Sequence, residues 1–457
     1  MSDRIRSLFL IAILLPALAL AAAGPSEGPY AARRTALIAK VGAGIILIPS
    51  QIQGPRGGAV QDNKDFIYLT GAAEPDALLV LGAGSDKGAI LFNRSGKWRG
   101  PAETALETKV LTEARSILFR QIGDAKVALP FSGLDAVLTA AGGSAALSGA
   151  AQLVNIDPAL AEMRIVKDDS EIETIQRAVD LTAAAYIEAL KAARPGRTEL
   201  DVNAVFEYVY ARKQASSSFT QIASGPNSVN IHFGATGRVL AVGDLIVFDL
   251  GAWVDGYTSD ISRTVPVGGR FSPEQAALYN VVLSAQKEGI RLMTAGNGVQ
   301  KTQTAVEDAL LAGLQKLGLV TDPASPWQRR LYIQHGFTHG IGLDVHDVWG
   351  WFARRMRAGL VFEPGMVLTM EPGLYFPAGL LDKYPAEMKS MVSEADWAAF
   401  AAKAGPVYKK YENMGCRIED DVLVTATGNR VLTAGAPKEI AEIEKTMKGT
   451  SPFLQIK

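Results

Sequence analysis

The chain has four histidines, and three of them, His335, His339 and His346, fall in the single stretch His-Gly-Phe-Thr-His-Gly-Ile-Gly-Leu-Asp-Val-His. A lone histidine is usually a satisfied surface or core residue. Three gathered among glycines, in a chain otherwise almost free of histidine, point to one shared site. Carboxylates join them. Asp249 follows the apolar run Leu-Ile-Val-Phe, Asp260 sits in Tyr-Thr-Ser-Asp-Ile-Ser-Arg-Thr, Glu371 follows Val-Leu-Thr-Met, and Glu419 lies in Cys-Arg-Ile-Glu-Asp-Asp-Val. Each acid interrupts a segment that reads as a largely buried strand, where an unpaired carboxylate is costly. Salt bridges are one remedy, with Arg263 and Arg417 as partners, but they cover one or two acids rather than four acids and a histidine. A bound cation covers them all. Four carboxylates and an imidazole, with no thiolate, form an oxygen-rich donor set that suits Mn2+, Mg2+ or Fe2+ better than structural zinc. That much negative charge exceeds one divalent ion and calls for two, roughly 3.5–4 Å apart and bridged by carboxylates.

Rigid elements must carry these side chains. Asp169 or Ser170 caps an expected helix whose apolar positions Ile172, Ile175, Val179, Tyr186 and Leu190 share one face, and Pro195-Gly196 ends it. Thr198 caps a second, Glu199–Gln214. Two strands, Leu245–Trp253 and Tyr257–Val267, flank a turn at Val254–Gly256. Ser272-Pro-Glu-Gln is a capping box that opens another helix, followed by one at Thr302–Leu317. Further strands span Val367–Glu371 and Cys416–Thr425. The sequence shows no internal repeat at a fixed short period. Ahead of this α+β region, residues 24–165 carry apolar runs at Gly44–Pro49, Phe66–Thr70, Ala77–Leu81 and Gly88–Phe92, with helical stretches such as Ala102–Gln121 between them. That alternation predicts a smaller α/β domain with a mixed sheet. The Val166–Glu173 stretch is the expected boundary, and residues 446–457 form a tail.

Composition narrows the function classes. With 48% hydrophobic and 20% charged residues and a net charge of -1, the chain is globular, and no basic stripe invites nucleic acid. Residues 1–23 read as a signal peptide. Arg4 and Arg6 precede an apolar run, Leu8–Ala22, that is broken by Pro16 and followed by Ala-Ala-Ala. The run is short for a membrane span of about 20 residues, so cleavage and no stable membrane insertion are expected. The expected location is exported, periplasmic or secreted. The lone cysteine, Cys416, excludes an intramolecular disulfide and reads as a small buried residue rather than a catalytic thiol.

The ordered set Asp249, Asp260, His339, Glu371 and Glu419 resembles the five-ligand signature of the creatinase-like, "pita-bread" M24-type metallopeptidases. The flanking words Asp-Ile-Ser-Arg-Thr, His-Gly-Ile-Gly-Leu-Asp-Val-His, Met-Glu-Pro-Gly and Arg-Ile-Glu-Asp-Asp match as well. Phe-Ile-Tyr-Leu-Thr-Gly at 66–71, with Glu74-Pro75, is similar to the amino-terminal domain of the aminopeptidase P branch. The resemblance implies a pita-bread catalytic domain over 166–445 and two ions per subunit, manganese or another divalent metal. Asp260 and Glu419 would bridge the ions, Asp249 would complete one site, and His339 and Glu371 the other. Glu371 would also move a proton from an activated water to the leaving nitrogen. His232 would hold substrate and stabilise the transition state, His346 would face the scissile carbonyl, and His335 would lie near the residue after the cut. Arg417 would orient a ligand carboxylate.

The resemblance implies an aminopeptidase that releases the first residue of peptides with proline second, and the signal-like residues 1–23 add the expectation that it is exported. An Xaa-Pro bond lacks an N–H, so an apolar wall can select it; Trp349, Trp351, Phe352 and Tyr375 are wall candidates, each with plain core as the alternative. A prolidase restricted to Xaa-Pro dipeptides and a non-catalytic peptide-binding module are the rival readings. Phe376–Asn413 lengthens the connection between the last two ligands and includes an expected helix, Glu394–Lys403. A homodimer or homotetramer accompanies the resemblance.

Overall fold

The computed structural model describes residues 28–451, apart from 43, 55–57, 83–87, 102–103, 105, 123–124 and 142. The expected signal peptide and the last residues of the tail lie outside the described residues. The chain divides into two compact units, residues 1–157 and 158–457.

The first unit contains α1 (Pro29–Val41), β1 (Ile45–Pro49), β2 (Gln51–Gly54), β3 (Gly58–Asp62), α2 (Lys64–Thr70), β4 (Leu78–Leu81), β5 (Ala89–Asn93), β6 (Glu107–Val110), α3 (Ala114–Ile122), β7 (Lys126–Leu129), α4 (Leu134–Ala140) and β8 (Gln152–Asn155). Six strands form a sheet in the order β6-β5-β4-β1-β7-β8, while β2 and β3 pair separately. β1 runs antiparallel to β4 and parallel to β7, so the sheet is mixed, as expected. Phe66–Thr70 departs from expectation: it is helical. The Asn63 side chain accepts from the Asp65 amide and Gly71 closes the turn in the left-handed region, so local caps override the strand-like composition. Residues 102–121 are not one helical stretch either. Glu107–Val110 pairs in parallel with β5 at the sheet edge, where polar residues on both faces hide the strand from a hydrophobicity reading.

The second unit continues with α5 (Asp157–Ile165), which begins at the division, α6 (Asp169–Ala192), α7 (Glu199–Arg212), β9 (Ser216–Ser224), β10 (Leu245–Trp253), β11 (Ile261–Pro266), α8 (Pro273–Leu292), α9 (Val299–Lys316), α10 (Pro326–Tyr332), α11 (Trp349–Arg357), β12 (Val367–Met370), β13 (Gly373–Phe376), α12 (Glu394–Tyr408), β14 (Met414–Arg417), β15 (Asp420–Thr425), β16 (Gly428–Val431) and α13 (Ile440–Met447). Helix pairs α6/α7 and α8/α9 accompany two three-stranded sheets, β11-β10-β9 and β12-β15-β16; β13 and β14 form a two-stranded ribbon. Apolar faces join in one core. Tyr186 of α6, for example, meets Phe248 of β10 edge to face with ring centroids 5.8 Å apart. The caps at Thr198 and Ser272 form as expected, each within a capping box. The α6 cap is Asp168 rather than Asp169 or Ser170, because Glu171 closes the box from the third helical position. The helix within Phe376–Asn413 extends past Lys403 to Tyr408, with Pro406 inside it. No described helix is long and apolar enough to cross a membrane.

Two departures bear on the site. The second strand of the β10–β11 hairpin begins at Ile261, not Tyr257. The Asp260 amide donates to the Asp421 carboxylate at 2.9 Å instead of to the ladder. The expected strand Cys416–Thr425 is two strands in different sheets. β14 pairs with β13 and β15 pairs with β12, and Ile418-Glu419 is the crossover between them.

Candidate metal centre

Strand register sets the first half of the site. Asp249 on β10 lies opposite Gln221 on β9 and Ser262 on β11, so these three side chains form one row across the sheet. Asp260 lies two residues before Ser262, at the mouth of β11. The second half comes from the other sheet. The segment around His339 runs beside β12: Thr369 N donates to His339 O at 2.9 Å and Glu371 N to Phe337 O at 2.9 Å. Glu419 is anchored at the crossover, where its amide donates to Ser262 O at 2.9 Å. Two strand ends and a crossover thus converge.

The His339 ring fixes the chemistry. Its Nδ1 lies 3.1 Å from the Gly340 carbonyl and donates to it, leaving Nε2 as the acceptor of a neutral imidazole. That Nε2 faces Glu371 Oε1 at 3.4 Å, Asp260 Oδ2 at 3.6 Å and Glu419 Oε1 at 3.7 Å. Burial, then repulsion from His346, pushes His339 down to about 3, so it stays neutral. The acids move the opposite way. Burial, reinforced by the Glu419 charge, drives Asp260 and Glu371 well above the usual carboxylate range. Burial and the Asp249 charge push Glu419 up to about 8. The Ser262 hydroxyl lies within hydrogen-bond reach of both Glu419 Oε2, at 2.6 Å, and Asp249 Oδ1, at 3.0 Å. One hydroxyl hydrogen serves a single acceptor at a time, so two bare carboxylates around it are one proton short.

Arginine does not resolve the cluster. Arg417 pairs with Asp249, whereas Arg263 pairs with Asp420, outside the acid set, at 2.7 Å. Among the described residues, Asp260 Oδ1 and Glu419 Oε1 are buried side-chain oxygens with no hydrogen-bond partner. Ligand atoms of Asp260, His339 and Glu419 all lie within 4.8 Å of one another. Orphaned hard oxygens beside a neutral imidazole nitrogen fit a divalent cation.

The remaining residues named from sequence surround this centre. The His346 ring lies 4.3 Å from the His339 ring and 5.8 Å from Trp349, which is 46% exposed. His335 Nε2 lies 3.0 Å from Tyr375 Oη, which in turn accepts from Arg417 Nη1 at 2.7 Å. Burial, then the Arg417 charge, pushes His335 down to about 4. His232 is exposed and acts electrostatically on His335 and His346. Of the wall candidates, Phe352 is core and Tyr375 is buried against His335, while Trp349 and Trp351 keep some exposure. Cys416 is buried, its thiol pushed up to about 12 by burial, as suits a small core residue. Sequence reasoning missed Ser262, Gln221 and Asp421. The Ser262 role follows from period-two alternation after Asp260. Gln221 is visible only through cross-strand register.

Residues 173–426 match the model of metallopeptidase family M24, and residues 30–119 match that of the aminopeptidase P N-terminal domain. The chain is 32% identical over 421 residues to an Xaa-Pro aminopeptidase of Escherichia coli (strain K12), an overlap of 85% of this chain and 89% of that protein. An Xaa-Pro dipeptidase of Mus musculus is 31% identical over 316 residues, 64% of this chain and 62% of the other. A solved structure of E. coli aminopeptidase P with the inhibitor Pro-Leu superposes with a TM-score of 0.76 at 29% identity, covering 92% of this chain and 98% of that one.

Proposed function

The chain belongs to metallopeptidase family M24, as a metallo-aminopeptidase of the Xaa-Pro aminopeptidase group, and on that premise we propose that it releases the amino-terminal residue from peptides with proline second. Asp249, Asp260, His339, Glu371 and Glu419 would hold two divalent ions, manganese by preference for a carboxylate-rich set. When bound, such ions would supply Lewis-acid polarisation of the scissile carbonyl and acidification of a water. The observation that carries this reading is the pair of orphaned oxygens on Asp260 and Glu419 beside His339 Nε2.

The chain's own groups divide the remaining work. Glu371 is the ligand candidate with most solvent access, its side chain 17% exposed against 5% for Asp260 and 2% for Glu419. That access suits a group that takes a proton from water and returns it to the leaving nitrogen. His346 and His232, at the solvent edge, suit contacts with the substrate carbonyl and backbone. Trp349, beside His346, offers the apolar face that a prolyl ring needs.

A peptide series tests the reading. Xaa-Pro-Xaa tripeptides should be cleaved at least as well as Xaa-Pro dipeptides, in parallel with bound metal. Activity confined to dipeptides would reassign the chain as a prolidase, and peptide binding by metal-loaded protein without cleavage would leave a binding module. The longer overlap with the aminopeptidase, which includes the amino-terminal domain, favours the first outcome. Export completes the proposal, supported by the basic start and apolar run of residues 1–23; the mature amino terminus, sequenced from cell fractions, tests it. A homodimer or homotetramer rests on family resemblance and is tested by sedimentation.

A further inference from the structure

His232 lies in a stretch without regular secondary structure, between a short 3-10 turn at Gly225–Val229 and β10. Such a segment needs outside ties to present a side chain reproducibly. The structure supplies one on each side of His232. The Ile231 carbonyl accepts from Arg417 Nη1 at 3.2 Å, and the Phe233 amide donates to Gln221 Oε1 at 2.9 Å. Both tying side chains end on the same atom. Gln221 Nε2 donates to Asp249 Oδ2 at 2.8 Å, and Arg417 Nη2 pairs with that oxygen as well.

We propose that Gln221 is a positioning residue that couples the metal-ligand candidate Asp249 to the substrate-binding segment of His232. This inference rests on the functional reading above. The amide orientation has one consistent solution. With the carboxamide reversed, its carbonyl would face a carboxylate and its NH2 would face a backbone N–H, leaving acceptor against acceptor and donor against donor. Only a side chain with a donor and an acceptor on one planar head can join the two partners, and strand register delivers it, since Gln221 lies directly opposite Asp249. A carboxylate offers about four lone-pair sites. Arg417 and Gln221 use two on Asp249 Oδ2 and Ser262 lies within reach of Oδ1, which fixes the plane of the group and leaves at least one site aimed elsewhere. When a cation orders Asp249, the same amide orders Phe233 and with it His232.

The test uses the full-length, metal-loaded protein and its chelated form, with Gln221→Met and Gln221→Glu. Methionine keeps the length and loses both hydrogen bonds; glutamate keeps the acceptor for Phe233 and loses the donor to Asp249. Amide exchange at Phe233 should be slower with metal than without it in the parent protein. In Gln221→Met it should be about tenfold faster with metal bound and should no longer respond to metal. KM for an Xaa-Pro-Xaa tripeptide should rise between about twofold and tenfold, the range one net hydrogen bond supports, with kcat, melting temperature and metal content near parental. Gln221→Glu keeps the acceptor for Phe233 but not the donor to Asp249, so it should return protection to Phe233 that no longer responds to metal; protection that still followed metal in this variant would overturn the coupling. Adding His232→Ala to Gln221→Met should raise KM no further than His232→Ala alone. Unchanged Phe233 exchange in Gln221→Met, or additive effects of the two substitutions, would overturn the coupling. Exchange is read without substrate, so it decides the coupling even if no Xaa-Pro peptide is cleaved and the functional reading fails.

Discussion

Exposure and hydrogen bonding separate acids that look equivalent in the sequence. Asp260 and Glu419 each keep one buried oxygen without a hydrogen-bond partner, whereas both Asp249 oxygens have partners, Oδ2 in Arg417 and Gln221 and Oδ1 in Ser262. Glu371 alone of the acids in contact with His339 reaches toward solvent. Two substitutions should therefore behave differently. Asp260→Ala removes a charge that no neighbour replaces, so metal retention and turnover should be lost together, as read by metal analysis of purified protein beside a tripeptide assay. Full activity would contradict a bridging role. Glu371→Gln keeps size and most hydrogen bonding but removes the carboxyl proposed to carry the proton. It should fold normally and lose about 10²–10⁴-fold in kcat. A loss confined to KM would remove Glu371 from proton transfer.

At the scale of elements, one loop carries His339 and His346, and Asp347 closes it. Its amide donates to Gly340 O at 2.9 Å, and its buried carboxylate meets Arg164 and, at 2.8 Å, Lys167 Nζ. Gly342 makes room, since a Cβ there would lie 2.4 Å from Asp347 Oδ2. Burial alone would raise this carboxyl, but Arg164 and Lys167 outweigh it and hold it below the usual carboxylate range. A depressed folded value gives stability that is present above the unfolded value of about 3.9 and lost as pH falls through the folded one. Asp347→Asn removes the carboxylate that buried Lys167 and Arg164 share, although Arg164 keeps Asp344 at 2.9 Å, so it should destabilise by about 3 kcal/mol at neutral pH and flatten the acid limb of the melting curve, seen by calorimetry from pH 3 to 7. The ribbon β13–β14 gives a second case. A Cβ on Gly415 would lie 1.8 Å from Ser228 O, so Gly415→Ala must displace the turn that leads to His232. A loss of about 1–3 kcal/mol in denaturant titration, with raised KM, is expected. These contacts explain what the sequence could reveal. Ser272-Pro273-Gln275 was legible because a cap is local, and the histidine cluster because loop residues sit close in sequence. The Gln221–Asp249–Ser262 row was not, since register joins residues far apart in the chain. Phe66–Thr70 misled because its apolar composition suits a strand while its ends carry helix caps, and β14 and β15 read as one strand because a change of sheet leaves no mark in hydrophobicity.

Over the whole molecule, net charge is only -1, so the crowding of acids is a local cost that no global imbalance creates. Its signature is a pH dependence opposite to that of Asp347. In the absence of metal, Asp260 and Glu371 are raised well above their unfolded values and Glu419 to about 8, each chiefly by burial. A raised carboxyl binds more protons folded than unfolded. Between the unfolded value, about 4.3 for Glu, and the folded one, stability falls as pH rises. Chelated protein should therefore melt at progressively lower temperature from pH 5 to 8. Metal binding displaces those protons, so divalent metal should restore more stability at pH 8 than at pH 5. Calorimetry of chelated and manganese-loaded protein at a series of pH values reads both trends. The two curves should diverge toward alkaline pH, and Asp260→Ala, lacking the acid at the centre of the cluster, should narrow the gap. A chelated protein whose melting temperature stays level or climbs across this window would mean that the acids are already ionised and separately neutralised. The metal would then have no protons to displace, and the hydrolase would lose its electrostatic basis.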